Sequence, residues 1–393
     1  MRVSNEELQK IMKKEKVDRI WSWSRINCFN TSPYEYYLKY IKKIEGDRQD
    51  SIYANLGGIS HEILEKLYTN KLEYKNMLDE FEQGWMIADD IMQLKFDRTD
   101  EEKNLKIKDK YLKNIRHFFK NHTMINRKTI IEQFVKIKIG DNLLQGYIDC
   151  MFKDDEKNIH IVDFKTSSIY KGSKAENECG QLVLYAIALI QLGIPMEKIK
   201  ICWNFLKYCT IQYEQANGVL KTREVERYKI GESLKSNIKT WLKKLGYENQ
   251  IEEYLEQVME QNSIECLPEE VREKYTITDC YIYVPLTDKL ISKWDKKVSE
   301  TLTDITLREK DYNETGSDKA FWDSDESVKT SSYFFANLSE YSANLHLPYK
   351  KYLEQREQQQ RENDDLIGSI RKEDTKKTTN TNIEEDLEWL KYI

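Results

Sequence analysis

The chain has 393 residues, of which 39% are hydrophobic and 33% charged, with a mean hydropathy of −0.75. These values are typical of a water-soluble globular protein that can bury a large core, and no run of about eighteen apolar residues is present to cross a membrane. The formal charge of −6 argues against binding of polyanions over the whole surface, but it is compatible with a local basic groove.

The cysteines and the first residues bear on the cellular compartment. Seven cysteines are scattered along the chain without a Cys-x-x-Cys pair or a zinc-finger spacing, so we expect reduced thiols. The first residues lack the apolar segment of a secretory signal peptide. Both observations favour a cytoplasmic protein.

Helical patterns dominate residues 1–130, which we interpret as an N-terminal helical region. Residues 4–20 form a charged helical pattern, and residues 24–44 predict two helices separated by a turn at Ser32-Pro33. Apolar residues then recur at helical spacing and predict an amphipathic helix over 57–70.

Strand patterns begin near residue 130, and residues 131–235 are interpreted as an α/β core. A helix is predicted over 176–192, where Gly193 and Pro195 end it. Turns are predicted at Asp141-Asn142 and at 154–158. The predicted strands are 130–139, 143–152, 159–165, 199–206 and 208–216, with 225–230 as a further candidate.

The rest of the chain is predicted to be mainly helical. Residues 236–353 form a C-terminal helical region, and residues 354–393 form a flexible polar tail that ends in a short amphipathic segment. The predicted fold class is therefore α/β, with a central mixed β-sheet flanked by helices and with helical insertions before and after it.

The third predicted strand carries an unusual charged end. Asp163 and Lys165 are two residues apart, so their side chains share one face of the strand, whereas Phe164 points to the other. Asp149 lies on the predicted strand before it, 143–152. Burying two carboxylates and an ammonium without partners would be costly, and a divalent cation bound by the acids is the simplest compensation.

Two helices carry further polar pairs at a spacing of four residues, which places each pair on one helix face. His61 and Glu65 form the first pair, and Gln181 and Tyr185 form the second. In chain order the motifs read Gly58-Ile-Ser-His61-Glu-Ile-Leu-Glu65, Gly146-Tyr-Ile-Asp149, Asp163-Phe-Lys165 and Gln181-Leu-Val-Leu-Tyr185. This order resembles the RecB-like exonuclease branch of the PD-(D/E)XK nuclease superfamily over roughly residues 22–215.

The resemblance implies a restriction-endonuclease-like core and a role for each motif residue. Asp149 and Asp163 are expected to bind Mg²⁺ or Mn²⁺, with His61 and the backbone carbonyl of Phe164 as further ligands. Lys165 is expected to orient or deprotonate the attacking water and to balance charge in the transition state. The residues expected to hold the DNA backbone near the metal are Gln181 and Tyr185.

Two further acids, and a similarity to a different enzyme class, also lie in or near these motifs. Glu65 and Glu132 are candidates to support the metal ligands without binding the metal, although Glu132, near the start of the first predicted strand, is better explained as a solvated strand-start charge. The segment His61-Glu62 invites comparison with a zinc-protease helix. That comparison fails, because glutamate rather than histidine stands four residues after His61.

Residues 22–36 resemble the N-terminal motif of iron–sulfur members of this branch, such as the CRISPR-adaptation exonucleases. In those proteins a cysteine precedes the proline and joins three C-terminal cysteines around a [4Fe–4S] cluster. Here Ser32 stands at that position, and the late segment 333–352 has no cysteine. Cluster ligation needs thiolates, so we expect no iron–sulfur cluster. The residues expected to pack in its place are Phe334, Phe335, Leu338 and Leu347.

The sequence therefore favours a metal-dependent deoxyribonuclease, an exonuclease acting on single-stranded or resected DNA in repair, recombination or phage DNA metabolism. A structure-specific endonuclease of the same fold and a DNA-binding subunit that does not cut are the alternatives. No Gly-x-x-x-x-Gly-Lys-Ser/Thr motif occurs, so any unwinding would come from a partner. The tail is a candidate binding segment for a helicase, a single-strand-binding protein or a recombination protein.

Overall fold

The structure is a computed structural model. It describes residues 3–46, 51–325, 337–341, 354 and 358–362. Residues Met1–Glu340 form one compact unit, and residues Tyr341–Ile393 form a second. In the second unit, residues 358–362 are helical, and Gln358 Nε2 donates a hydrogen bond to Glu362 Oε1 at 2.9 Å.

The first unit is built on one mixed sheet of seven strands, formed by β-branched and aromatic runs that alternate between two faces. The strands are β1 (Ile20–Ser22), β2 (Thr129–Ile139), β3 (Asn142–Lys153), β4 (Ile159–Lys165), β5 (Ile199–Glu214), β6 (Leu220–Glu226) and β7 (Tyr275–Val284).

Two long strands organise the sheet. β3 pairs antiparallel with β2 along one edge, and its other edge is shared between β1, which is parallel, and β4, which is antiparallel. β5 pairs parallel with β4 and antiparallel with β6 and β7. The parallel β4–β5 pair brings two carboxyl ends to the same sheet edge, where side chains for a site can gather.

Helices surround this sheet. The longer ones have polar N-caps or first-turn acids that suit the positive end of the helix dipole, such as Ser22, Asp100 and Thr287. They are α1 (Asn5–Glu15), α2 (Trp23–Thr31), α3 (Pro33–Tyr36), α4 (Ile52–Tyr68), α5 (Met77–Met86), α6 (Glu101–Asn121), α7 (Ser173–Glu178), α8 (Gly180–Gln191), α9 (Ile230–Lys244), α10 (Ile251–Gln261), α11 (Glu269–Arg272), α12 (Asp288–Thr315) and α13 (Lys319–Trp322).

Different helices cover the two faces of the sheet. On one face, α4, α5 and α6 pack on inward side chains that include Val162 and Phe164 of β4. On the other face lies α8, whose residues 182–189 are all buried, as expected for a helix that is apolar on every side. A separate apolar cluster joins α9 and α10 to the far half of β5 and to β7. The prediction of an α/β fold with a mixed sheet between helices is confirmed.

Several predicted elements need correction. The two strands expected at 199–206 and 208–216 are one strand, β5, whose ladder to β7 is irregular between Asn204 and Cys209. The sheet also extends beyond 131–235, because β1 and β7 come from regions expected to be helical. The β7 sequence alternates aromatic and β-branched residues, a strand signal that was missed. None of the described helices combines the length and apolar character needed to cross a membrane.

Ser32 serves as a helix cap at the position expected to distinguish this chain from cluster-binding relatives. Its hydroxyl accepts a hydrogen bond from the Glu35 backbone at 3.0 Å and donates one to Asp325 Oδ2 at 2.7 Å. The same carboxylate oxygen accepts from the Tyr34 backbone. Leu338 is 37% exposed, contrary to its expected packing, and Phe334, Phe335 and Leu347 lie outside the described residues.

Candidate active site

The sheet places the two acids side by side. The antiparallel β3–β4 ladder pairs Cys150 with Val162, and one step further in the same register Asp149 stands opposite Asp163. Both lie on the sheet face that α8 covers. The Phe164 backbone N–H donates to Asp149 Oδ2 at 3.0 Å, which fixes the Asp149 carboxylate at the end of β4.

His61 reaches this pair from α4, across the end of the sheet. Its Nε2 lies 2.8 Å from the Phe164 carbonyl oxygen, and its Nδ1 lies 3.5 Å from Asp149 Oδ2. The part of α4 that precedes His61 approaches the residue after β4, since the Cβ position of Gly57 lies 3.8 Å from Thr166 Oγ1. The first predicted motif therefore meets the second and third.

A polar chain continues from Asp163 into α8. Lys165 Nζ lies 2.6 Å from Asp163 Oδ2 and donates to Gln181 Oε1 at 3.4 Å. Gln181 Nε2 in turn donates to the Tyr185 hydroxyl at 2.9 Å. Gln181 of the Gln-x-x-x-Tyr motif thus contacts the ammonium of the Asp-x-Lys motif. The helical spacing of Gln181 and Tyr185 alone did not predict this contact.

Burial and mutual repulsion shape the electrostatics of the acids. Burial, together with the neighbouring Asp163 carboxylate, raises the pKa of Asp149 to about 7. Burial alone would lower the pKa of Lys165, but the carboxylates of Asp163 and Asp149 outweigh it and raise that pKa above its ordinary value. When both acids are ionised, their charge exceeds that of Lys165 by one.

The donor set fits a hard divalent cation. Asp163 is 1% exposed, and its Oδ1 accepts no hydrogen bond from the residues that the structure describes, so a buried oxygen is available as a ligand. His61 Nε2 and the Phe164 carbonyl lie 2.8 Å apart. Adjacent ligands of an octahedral Mg²⁺ or Mn²⁺ ion are separated by about 3 Å.

The side chains alone do not yet form a coordination sphere. Among the described residues, no three His, Cys, Asp or Glu side chains stand together in an arrangement that could hold a metal. Asp163 faces Lys165, while His61 faces Asp149 and Phe164. Coordination would require the backbone carbonyl and a small reorientation of these carboxylates.

The two supporting acids are placed differently. Glu132 lies inside β2 at a positive φ of 50°. The β2–β3 ladder is interrupted at this residue, where it would pair with Asp149. Its carboxylate, with those of Asp163 and Asp149, adds to the effect of burial in raising the pKa of Tyr185. For Glu65, no hydrogen bond or ion pair of the carboxylate with site residues is found in the described part of the chain.

The structure explains why glycine stands at position 146. A Cβ atom there would lie 2.6 Å from Tyr185 Cε1, closer than atoms can approach. Tyr185 is 4% exposed and cannot move aside freely. The glycine of the Gly-x-x-Asp motif thus lets α8 lie close enough to bring Gln181 to Lys165.

Comparison with known proteins agrees with this geometry. Residues 20–306 match the family described as the PD-(D/E)XK nuclease superfamily, which is more than half of the chain. The chain belongs to the PD-(D/E)XK nuclease superfamily. Nucleases of this superfamily act on DNA and generally use divalent metals such as Mg²⁺ or Mn²⁺, in agreement with the donor set described above.

Other comparisons of this superfamily member are less informative. No curated protein matches it. A solved structure titled "Crystal structure of SSO0001" shares 15% sequence identity and covers 49% of this chain and 73% of its own, with a TM-score of 0.16. A likeness of that quality carries no conclusion about fold or function.

Proposed function

We propose that this protein is a metal-dependent DNA exonuclease of the RecB-like branch, acting on single-stranded or resected DNA. The observation that supports the proposal best is the meeting of His61, Asp149 and the Phe164 carbonyl at the end of β4, with Asp163 and Lys165 beside them. Three segments distant in the chain, α4, β3 and β4, supply these groups, and a simple structural ion pair needs only two.

The ligands in this proposal are His61, Asp149, Asp163 and the Phe164 carbonyl. A bound Mg²⁺ or Mn²⁺ ion would supply positive charge at the scissile phosphate and lower the pKa of a water. Imidazole among the ligands suits Mn²⁺ at least as well as Mg²⁺.

Lys165 orients the attacking water and stabilises the negative charge that develops in the transition state. Its ammonium is held between Asp163 and Gln181, which leaves its remaining N–H free to orient a water or to donate to a phosphate oxygen. An ammonium fixed in a largely buried site stabilises transition-state charge without reorganisation.

Gln181 and Tyr185 position this ammonium and contact the DNA backbone. Their hydrogen-bonded chain supports the first role. Gln181 Nε2 has a second N–H that can donate to a phosphate oxygen, which supports the other. Glu65 and Glu132 would be supporting acids around the site rather than ligands of the cation.

In this proposal the protein has no iron–sulfur cluster. Ser32 replaces the thiolate, and its hydroxyl is committed to the Asp325 carboxylate and to the Glu35 backbone. A buried acid in that position would repel further anionic ligands. Repair, recombination or phage DNA metabolism is the proposed context, with a protein partner at the tail, whose residues 383–393 lie outside the described part.

The proposal is tested by digestion of linear DNA labelled at the 5′ or the 3′ end, with Mg²⁺ or Mn²⁺ and with EDTA. Asp163→Ala should lower the rate by about a thousandfold, equivalent to roughly 4 kcal/mol of transition-state stabilisation. Asp141→Ala, in the exposed β2–β3 turn, is the matched control and should cut like the parent protein.

Circular single-stranded DNA separates exonuclease from endonuclease, because an exonuclease leaves a circle intact. Cleavage of the circle would favour the endonuclease alternative. Binding of DNA without cleavage under every metal condition would overturn the enzymatic proposal and favour a non-cutting subunit.

A further inference from the structure

A cavity of about 660 Å³ opens directly beyond the catalytic lysine, at the carboxyl end of β4. Thr166, Ser167 and Ser168, which follow Lys165 in the chain, line one side of it. The opposite sides come from α4, α6, α7 and β5. Its volume lies within the range of about 300–1,000 Å³ that is typical of small-ligand sites, and it adjoins the proposed reaction centre.

The cavity holds a partly buried ammonium that has no ion-pair partner among the described residues. Lys207 is partly buried, and its Nζ lies 5.7 Å from the centre of the Tyr111 ring. Within the described residues, no carboxylate lies at ion-pair distance from it. Burial lowers the pKa of Lys207, and the more distant Glu226 offsets this only in part. Such a group is costly unless a ligand compensates for it.

The remaining lining combines cations with aromatic rings. Lys110 and Lys174 add two further ammonium groups, and Glu178 and Glu226 add two carboxylates. The three lysines therefore exceed the acids by one charge, before Lys165 is counted. The tyrosines that line the cavity are Tyr53, Tyr111 and Tyr170.

Tyr170 offers the best platform for a base. Its ring is held edge-on by Trp203 and Phe205 at centroid distances of 5.1 and 5.2 Å, and its hydroxyl bonds to Ser167 at 3.1 Å. Lys174 Nζ lies 5.1 Å from the ring centre. An aromatic ring beside a cation is an arrangement by which proteins stack bases of single strands and contact their phosphates.

We propose that this cavity is a single-strand subsite, in which Lys207 binds the phosphodiester next to the scissile one and Tyr170 stacks its base. The inference rests on the proposed nuclease function and narrows its substrate to a strand with unpaired bases. Paired bases are stacked within their duplex and would not present a free face to Tyr170. Lys110 and Lys174, at the exposed rim, guide the strand inward by charge.

The test compares Lys207→Met and Lys207→Arg with Lys235→Met, a matched change of an exposed lysine on α9. Binding of a fluorescein-labelled oligothymidylate is measured by anisotropy in EDTA over a series of salt concentrations. Lys207→Met should weaken binding at least about tenfold and reduce the salt slope by about 0.7, the value of one single-strand phosphate contact. Arginine should largely restore both, and Lys235→Met should change neither.

A second readout separates binding in the cavity from chemistry. Hydrolysis of bis(p-nitrophenyl) phosphate, which has no neighbouring nucleotide, should be unchanged in Lys207→Met, whereas KM for the oligonucleotide should rise. For Tyr170→Leu, quenching of 2-aminopurine in the oligonucleotide should be lost, and Tyr170→Phe should retain it.

The outcomes distinguish the two proposals. Cleavage by the parent protein with no effect of Lys207→Met on oligonucleotide binding would overturn the subsite and leave the nuclease intact. Equal competition by inorganic phosphate or thymidine 5′-monophosphate would identify a product site instead. If the parent protein binds the oligonucleotide through Lys207 but never cuts it, the subsite stands and the nuclease proposal fails.

Discussion

His61 and Lys165 lie on opposite sides of the two acids, and their side chains are expected to act differently. His61→Ala removes a proposed ligand, so the affinity for Mn²⁺ should fall at least about tenfold. Lys165→Met removes a cation that competes for the same carboxylates, so the Mn²⁺ affinity should be unchanged or higher while kcat falls about a thousandfold. Titration calorimetry with Mn²⁺ and turnover of labelled DNA measure the two effects. Equal losses of metal affinity in both variants would contradict these roles.

His117 is expected to make stability depend on pH. Burial, helped by the charges of Arg227 and Lys120, lowers its pKa to about 4, although Asp279 partly opposes this. An unfolded histidine has a pKa near 6.5, so the unfolded chain binds more protons between these values. Stability is then complete above about pH 6.5 and decreases as the pH falls toward 4, at about 1.4 kcal/mol per unit.

Urea unfolding at pH 7 and pH 4.5 measures this effect. In His117→Gln the loss of unfolding free energy between the two pH values should be about 2 kcal/mol smaller than in the parent protein. The same loss in both proteins would show that His117 is not the titrating group.

At the scale of elements, the close approach of α8 to β3 is decided by one glycine. Gly146→Ala would place a Cβ atom 2.6 Å from Tyr185 Cε1, and relieving that clash should cost about 1–3 kcal/mol. Because α8 also carries Gln181, kcat should fall as well. Thermal unfolding and oligonucleotide turnover are the measurements.

Gly58→Ala is the matched control for this substitution. Gly58 lies in α4 with open space around its Cβ position, so alanine should stabilise the protein by about 0.5–1 kcal/mol through its helix propensity. If both alanine variants had the same stability, the contact with Tyr185 would not determine the position of α8.

The individual elements also show where local sequence was sufficient. The β2–β3 and β3–β4 hairpins follow from alternating apolar residues and turn residues. The first of them turns at Gly140-Asp141, one residue before the predicted Asp141-Asn142, with Gly140 at a φ of 56°. β5 was predicted as two strands, because the polar residue Lys207 interrupts its apolar pattern. In the structure, hydrogen bonds to β6 and β7 continue the strand beyond this residue.

At the scale of the whole molecule, one buried polar cluster ties the helical and sheet layers together. Asp279 of β7 accepts hydrogen bonds from Arg227 and His122, each at 2.5 Å. Arg227 also donates to the Leu206 carbonyl, and His122 contacts the Tyr68 hydroxyl. Burial alone would raise the pKa of Asp279, but His122 and Arg227 outweigh it and lower that pKa.

Removing the charge of Asp279 should therefore destabilise the entire unit. Asp279→Asn leaves the Arg227 guanidinium buried without its partner, at an expected cost of about 3–5 kcal/mol in unfolding free energy. Asp295→Asn, at an exposed position of α12, should change that free energy by no more than about 0.5 kcal/mol. Urea unfolding monitored by tryptophan fluorescence compares the variants. A small loss in Asp279→Asn would mean that the cluster contributes little to stability.

The sequence by itself determined the features that depend on short spacing. The strand period placed Asp163 and Lys165 on one face, and the helix period aligned Gln181 with Tyr185. Only the tertiary structure decided which groups from distant segments meet, such as His61 with the Phe164 carbonyl and His122 with Asp279, 103 and 157 residues apart. Local periodicity fixes the direction of a side chain relative to its own element. The packing of whole layers fixes what that side chain touches, as it does for Lys207 in its cavity.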